Sequence, residues 1–499
     1  MATRSDARGV NGVAFPQTAD GHRSTTSVGR AVAAEALRTV DPAGAAHAER
    51  ETSWRSGYLV HYRRMVESGL LSRDAALTIA ADGLSALRAR MTVVDEHGEQ
   101  PLESWSSAPA GRAWRSVELQ GSAEAETELS LPFRGRRLSG GGLDARLDTW
   151  VADGVLEPSA AEAVRAVMGH PEWLRLEDRT VVVLGAGAEM GPLQALLRWG
   201  ATVAAVDLPR SALWQRLTTN ARQSAGRMLV PVDGGDPVGT DGLASLDERA
   251  GVDLLRDVPS VAEWVRALPG ALVLGNYVYA DGADNVRVSA AVDALTIRVL
   301  AARDDVALAF LATPTDVFAV PRDAVEHATG CYQRRTRTGK LLARPLRTVS
   351  GGRLLARAYN ADADPGISDS LVPQQGPNYA LAKRLQRWRA AVARADGVTV
   401  SMNVAPPTRT RSVVKNRALA AAYAGAHRFG VEVFEPATSN VLMAALLVHD
   451  LHTGGGPTHE HPWQDEAFAA VHGGLWRTAY APRSALGLAA LLGYGAARG

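Results

Sequence analysis

"VVVLGAGAEMGPLQALLRWGATVAAVDLPR", Val181 to Arg210, reads as a buried strand, a glycine-rich turn, a helix, a second strand and then an acid. In a βαβ unit of this kind the glycines let the backbone approach a phosphate at a helix N-terminus, where free N–H groups and the helix dipole favour an anion. Gly185, Gly187 and Gly191 stand where that geometry needs them. Asp207 closes the second strand, at the spacing expected of a carboxylate that holds a ribose diol. Such an acid repels a 2′-phosphate, so the pattern favours NAD(H) over NADP(H), a preference that Arg210 moderates. The plain alternative is a glycine turn that serves only helix–strand packing. Glu189 is out of place, because a carboxylate beside a pyrophosphate costs energy unless it turns away or meets a cation.

Working outward, short apolar runs alternate with helical stretches from Leu176 onward: "TVAAVD", "GRMLVPVD", "ALVLGNYVY", "VALAFLATP", "GVTVSMNVAPP" and "VEVFEP". That alternation predicts an α/β fold, a doubly wound parallel sheet of Rossmann-like type over 176–453. The stretch Phe318 to Pro377 interrupts it and is expected to be an inserted arm. Residues 1–50 are rich in small residues with weak periodicity and are expected to form a mobile tail. A helical N-terminal lobe is expected over 51–175, read most simply as a cap or an oligomer surface, so a homo-oligomer is one expected state. A loop and a helix complete the chain over 454–499.

The chain has 499 residues and a net charge of +1, which argues against a broad nucleic-acid surface. Its apolar runs are too short for a membrane span. A single cysteine, Cys331, forbids an internal disulfide, and no secretory signal is visible, so a soluble cytoplasmic protein is expected. Cys331 has no visible partner for nucleophilic work and is read as structural.

The most informative stretch is "GPNYALAKRLQRWRAAVARADGVTVSMNVAPP". Tyr379 and Lys383 lie one helical turn apart, so both side chains leave the same face. An ammonium beside a phenol lowers its pKa, which would let Tyr379 exchange a proton with a carbonyl or alcohol oxygen near neutral pH. The plain alternative is an aromatic residue and a surface lysine on an ordinary amphipathic helix.

With the glycine turn, the strand series and this helix in that order, the chain from about Leu176 to Leu451 resembles the short-chain dehydrogenase/reductase superfamily. Gly185 and Gly191 match the outer turn glycines, and Glu189 occupies the middle one. Gly275-Asn276 stands where the family has Asn-Ala-Gly, and Pro406-Pro407 replaces Pro-Gly. The resemblance implies a nicotinamide cofactor, with Asp233 near the adenine, Asn276 at the cofactor, Tyr379 as acid/base and Lys383 as its activator and ribose clamp. It implies interconversion of a carbonyl and a secondary alcohol on a small-molecule substrate, apolar or an acyl thioester. Thr313 is the nearest hydroxyl to the family's catalytic serine position, while Ser368 and Ser370 lie closer in sequence to Tyr379; the choice stays open. Two alternatives stand beside this reading. The glycine stretch also resembles the first motif of class I S-adenosylmethionine-dependent methyltransferases, although Val183 stands where those enzymes commonly place an acid. A non-catalytic nucleotide-binding relative is the other.

Two further clusters carry chemistry. "VHDLHTGGGPTHEHPW" gathers His449, Asp450, His452, His459 and His461, but the spacings match no zinc template, so no metal is expected. "CYQRRTRTGKLLARPLR" carries Arg334, Arg335, Arg337, Lys340, Arg344 and Arg347 with no acid between them. It is read as a solvated hairpin in preference to a phosphate-binding arm. "TSNVLMAALLVHDL" is apolar enough for a substrate lid, though core packing explains it with fewer assumptions.

Overall fold

The computed structural model describes residues 11–235, 246–336 and 345–494. Seven strands form the central sheet: β1 (Trp114–Gln120), β2 (Arg179–Leu184), β3 (Thr202–Val206), β4 (Arg227–Asp233), β5 (Ala271–Asn276), β6 (Val306–Ala312) and β7 (Val400–Val404). Their order across the sheet is β7-β6-β5-β2-β3-β4-β1. Six strands run parallel, and β1 adds antiparallel to the β4 edge, Trp114 opposite Asp233 and Gln120 opposite Arg227. The chain winds outward from β2 through β3 to β4, then returns to build β5, β6 and β7 on the other side. The direction of winding reverses between β2 and β5, the strand order of the Rossmann fold, and ligands of such sheets sit at the carboxyl ends around that reversal.

Alternate residues of each strand enter different cores. Val182, Leu184, Leu272, Leu274, Leu308 and Phe310 join one buried cluster, while Val181, Val183, Val273, Ala307 and Ala309 join the other. A strand projects side chains to opposite faces with a period of two, so these runs are apolar throughout because both faces are covered. One face carries α1 (Arg73–Arg90), α2 (Ala283–Ala302) and α3 (Pro377–Ala395), and the other carries α4 (Pro436–His452). Helix α4 is buried from Thr438 to Leu451, so it is core and not a lid. Among the described residues no helix is long and apolar enough to cross a membrane.

Two expectations are corrected. Residues 11–50 are not a mobile tail: they hold a strand, Gly12–Ala14, and helices Thr25–Arg38 and Pro42–Glu49. The Ser24 side chain accepts a hydrogen bond from the Ser27 N–H at 3.2 Å and caps the first helix, which buries Val28, Val32, Ala33 and Leu37 in the same cluster as Val182 and Leu184. Small side chains give a weak periodic signal, yet they allow close helix packing. Nor does the sheet begin at residue 176, because β1 comes from the N-terminal lobe. The arm expected from Phe318 to Pro377 contains an antiparallel ribbon, Val317–Val320 with Gly366–Asp369, and helix Arg322–Gln333.

Candidate active site

The glycine turn leaves β2 at Leu184. Gly185 adopts φ +85°, a left-handed backbone that glycine accepts without strain, and its N–H donates to the Val206 carbonyl at 2.8 Å. The N–H of Gly187 donates to Asp207 Oδ2 at 2.7 Å, and a Cβ at Gly187 would meet Leu213 at 2.6 Å and that oxygen at 3.1 Å. A side chain at this position would crowd both Leu213 and the acid. Asp207 Oδ1 accepts from the Leu208 N–H at 2.8 Å. Burial pushes this carboxyl up, and the Gly187 and Leu208 bonds with Arg210 and Arg216 oppose it without cancelling it. Asp207 is partly exposed at the end of β3, where the sequence places a ribose acceptor.

The remainder of the turn departs from the expected pattern. The following helix is Leu193–Arg198, only six residues long, and starts eight residues after Gly185, with Pro192 at its N-cap directly after Gly191. Glu189 meets a cation from a distant segment: its Oε2 accepts from the Arg411 N–H at 2.8 Å and its Oε1 lies 3.2 Å from Arg411 Nε. Met190, Pro192, Tyr277, Phe310, Met443 and Leu447 line a small gap behind the turn. Of the turn's groups, Asp207 is the acceptor that could meet a ribose hydroxyl, and the Glu189–Arg411 pair lies beside the glycines.

Helix α3 brings the second half of the site to the carboxyl ends of β5 and β6. It starts at Pro377, a residue suited to the first helical position, and places Tyr379 in its first turn. Thr313, which follows β6, brings its hydroxyl close enough to the Tyr379 phenol to act on its pKa, in the lowering direction. The Gln375 Nε2, which can only donate, bonds Thr315 Oγ1 at 2.7 Å, and Thr315 Oγ1 lies 2.9 Å from Thr313 Oγ1. Gln375 thus donates to Thr315, while either hydroxyl of the Thr315–Thr313 pair can be the donor, since a hydroxyl oxygen accepts twice. Tyr279, 54% exposed, meets the Tyr379 ring edge-on at 6.3 Å between centroids. Tyr423 approaches from helix Arg417–Gly425, and burial first, then charge on Tyr379, push its phenol up.

Lys383 lies on the same helix but does not activate the tyrosine as expected. Its ammonium donates to the Leu311 carbonyl at 3.2 Å and to Gln386 Oε1 at 3.1 Å, and Gln386 Nε2 donates to Asn276 Oδ1 at 3.3 Å. Burial brings Lys383 down to about 8. Burial raises the Tyr379 phenol above its ordinary value, against the expected lowering, and the Thr313 bond only partly opposes it. The physical reason is that desolvation, which disfavours both charged forms, outweighs any attraction between them.

Other candidates are placed elsewhere. Ser368 and Ser370 are buried at the ribbon, Ser368 opposite Phe318 and Ser370 bonded through its N–H to the Asp316 carbonyl, whereas Thr313 is the hydroxyl that meets Tyr379. Asp233 pairs with Arg112 at 3.3 Å and accepts from the Gly235 N–H. His449 bonds Asp450 at 3.1 Å, His452 stacks on Trp173, His459 bonds Asp465 at 2.8 Å, and His461 caps helix Pro462–Ala467. Among the described residues no group of three or more His, Cys, Asp or Glu is arranged to hold a metal ion. Arg335 lies over the Tyr332 ring at 3.3 Å, Arg347 bonds the Tyr332 hydroxyl at 3.2 Å, and Arg334 lies 3.8 Å from Cys331 Sγ. Arg337, Lys340 and Arg344 fall outside the described residues.

Sequence reasoning missed the anchor of α3. Asp316, 1% exposed, accepts from Arg384 and Arg387 at 2.8 Å each, and Arg387 also grips Glu466 with two bonds of 2.6 Å. Burial alone would raise Asp316, but the two guanidinium groups more than offset it and hold the carboxyl below its ordinary value. Four arginines in one helix are a visible signal, although their acidic partners lie far away in sequence.

No family model matches the chain, and no curated protein does. Among solved structures, a thiolation-reductase di-domain from an archaeal non-ribosomal peptide synthetase is similar with TM-score 0.27 and 11% identity, over 57% of this chain and 54% of that one. The terminal R domain of the myxalamid PKS-NRPS pathway is similar with TM-score 0.27 and 15% identity, over 61% and 69%. The chain thus spans about half the length of the first of these structures.

Proposed function

We propose that the chain is an NAD(P)-dependent oxidoreductase of short-chain dehydrogenase type that interconverts a carbonyl and a secondary alcohol, with carbonyl reduction as its favoured direction. The observation that carries this reading is the meeting of Tyr379 and Thr313 at the carboxyl end of β6, beside the Lys383–Gln386–Asn276 chain at β5. Asp207 would hold the adenosine ribose of the cofactor and favour NAD(H), and Lys383 would hold the nicotinamide ribose. The nicotinamide, when bound, supplies or accepts the hydride.

This chain's own groups handle the proton. A phenol held above its ordinary pKa keeps its proton through neutral pH, which suits an acid that donates to the oxygen of a carbonyl as it gains a hydride. The tyrosinate left behind would accept from the Thr313 hydroxyl beside it, which is linked on to Thr315 and Gln375. The exposed face of Tyr279 offers an apolar wall to the substrate, in keeping with an apolar or acyl-thioester class. The test is calorimetry of the purified chain against NADH, NADPH and S-adenosylmethionine, followed by a screen of ketones, aldehydes and acyl thioesters with the nucleotide that binds. NADH is expected to bind most tightly. Binding of S-adenosylmethionine alone would overturn the reading.

A further inference from the structure

A second concave site lies at the amino end of the edge strand β7, whereas the glycine turn lies at the carboxyl end of β2. A cavity of about 180 Å³ opens there between the end of α3, the start of α1 and the loop that follows α4. Arg394 on α3 and Lys383 are eleven positions apart, roughly 16 Å along a helix, so the two sites are distinct. Dinucleotides and drug-sized ligands need pockets of roughly 300–1,000 Å³, so this one suits a small molecule or a single polar head.

Its walls are polar and their charges are arranged. Arg394 is held rigidly, its Nη2 donating to the Val400 carbonyl at 2.7 Å and the Gly455 carbonyl at 2.8 Å, with Nη1 3.6 Å from Asp465 Oδ1. His459 is turned by the Asp465 carboxylate, bonded through Nδ1 at 2.8 Å, and its ring packs on Phe468 at 5.7 Å, so Nε2 is the ring nitrogen left for another partner. Arg73 reaches the same cavity from the first residue of α1 and forms no ion pair among the described residues. Thr399 and Thr458 add hydroxyl groups. Gly454, Gly455 and Gly456, at φ +69°, +96° and +86°, carry the chain along the rim. The single carboxylate of the wall, Asp465, is already shared by His459 and Arg394, so Arg73 leaves the cavity with an excess of positive charge. A cation placed here would face two guanidinium groups.

We propose that this cavity is a binding site for a small oxyanion, a carboxylate or phosphate group, held by Arg73 and Arg394 with His459 Nε2 and the threonine hydroxyls. Guanidinium groups match the planar and tetrahedral oxygens of both anions. The test is calorimetry of the full chain with sodium acetate and with inorganic phosphate in separate titrations, at constant ionic strength in chloride. One-to-one saturable binding of either anion is expected, and the tighter of the two identifies the head group. Arg73→Gln, on an exposed helix start that does not endanger folding, and His459→Ala should each weaken it roughly tenfold, a loss of about 1.4 kcal/mol. NADH affinity should be unchanged in both variants. Absence of saturable binding by both anions, or undiminished binding by both variants, would overturn the proposal.

Discussion

Glu189 is the residue at which this chain departs most from a nucleotide-binding turn, and the structure gives it a partner in Arg411. Replacing it by glycine removes a carboxylate from the approach to the pyrophosphate. Glu189→Gly is therefore expected to tighten NADH binding about fivefold in a fluorescence titration, by roughly 1 kcal/mol of relieved repulsion; weaker binding would show that the Arg411 pair organises the turn. Lys383, brought down to about 8 by burial, is protonated below that value and neutral above it. Carbonyl reduction should decline as pH rises through about 8, and Lys383→Arg, which keeps its charge, should abolish that decline. The pairing of Tyr379 with Lys383 on one helix face was legible from spacing, whereas Asn276 came from the family resemblance alone and Thr313 stood as one of three hydroxyls. Gln375, Gln386, Tyr279 and Tyr423 were not, since they matter only through contacts between elements that no local pattern reports.

Helix α3 links these side chains to the sheet, and its buried face explains why its sequence misleads. The run "AKRLQRWRAAVARA" reads as amphipathic with arginines outward, yet Arg384 and Arg387 are each only 4% exposed. The guanidinium groups are buried because Asp316 and Glu466 arrive from elsewhere to pair them, a tertiary outcome that overrides the pattern. Breaking a buried pair leaves an uncompensated charge, so Asp316→Asn should lower the free energy of unfolding by about 3–5 kcal/mol in a urea titration. Loss of less than about 1 kcal/mol would show that the cluster is dispensable. The parallel strands were legible because both faces are apolar, whereas β1, with alternating burial at an edge, resembled a polar connection.

For the whole molecule, the lobes are held together by charges as well as by apolar packing. Glu157, which precedes helix Pro158–Gly169, accepts from Arg477 at 2.8 and 2.5 Å and from His472 Nε2 at 2.9 Å, while His472 Nδ1 accepts from the Gly474 N–H at 3.1 Å. Burial would raise Glu157, but His472 and Arg477 outweigh it and bring it down to about 2 from the ordinary 4.5. A depressed carboxyl stabilises the fold above its unfolded pKa and loses that contribution as pH falls through its folded one. Glu157→Gln should therefore cost about 3 kcal/mol at pH 7, and the gap to the unmodified chain should narrow between about pH 4.5 and pH 2. A gap independent of pH across that window would contradict the assignment. This clamp joins residues more than three hundred positions apart, which is why a reading in separate segments left the N-terminal region as a cap and a tail.

The central claim is that Tyr379 gives its proton to a carbonyl oxygen, and Tyr379→Phe tests it most directly. The ring and its contact with Tyr279 remain, so NADH affinity should stay within about twofold while steady-state turnover of a carbonyl substrate falls roughly 10²–10⁴-fold. Turnover preserved in Tyr379→Phe, with cofactor binding intact, would contradict the account.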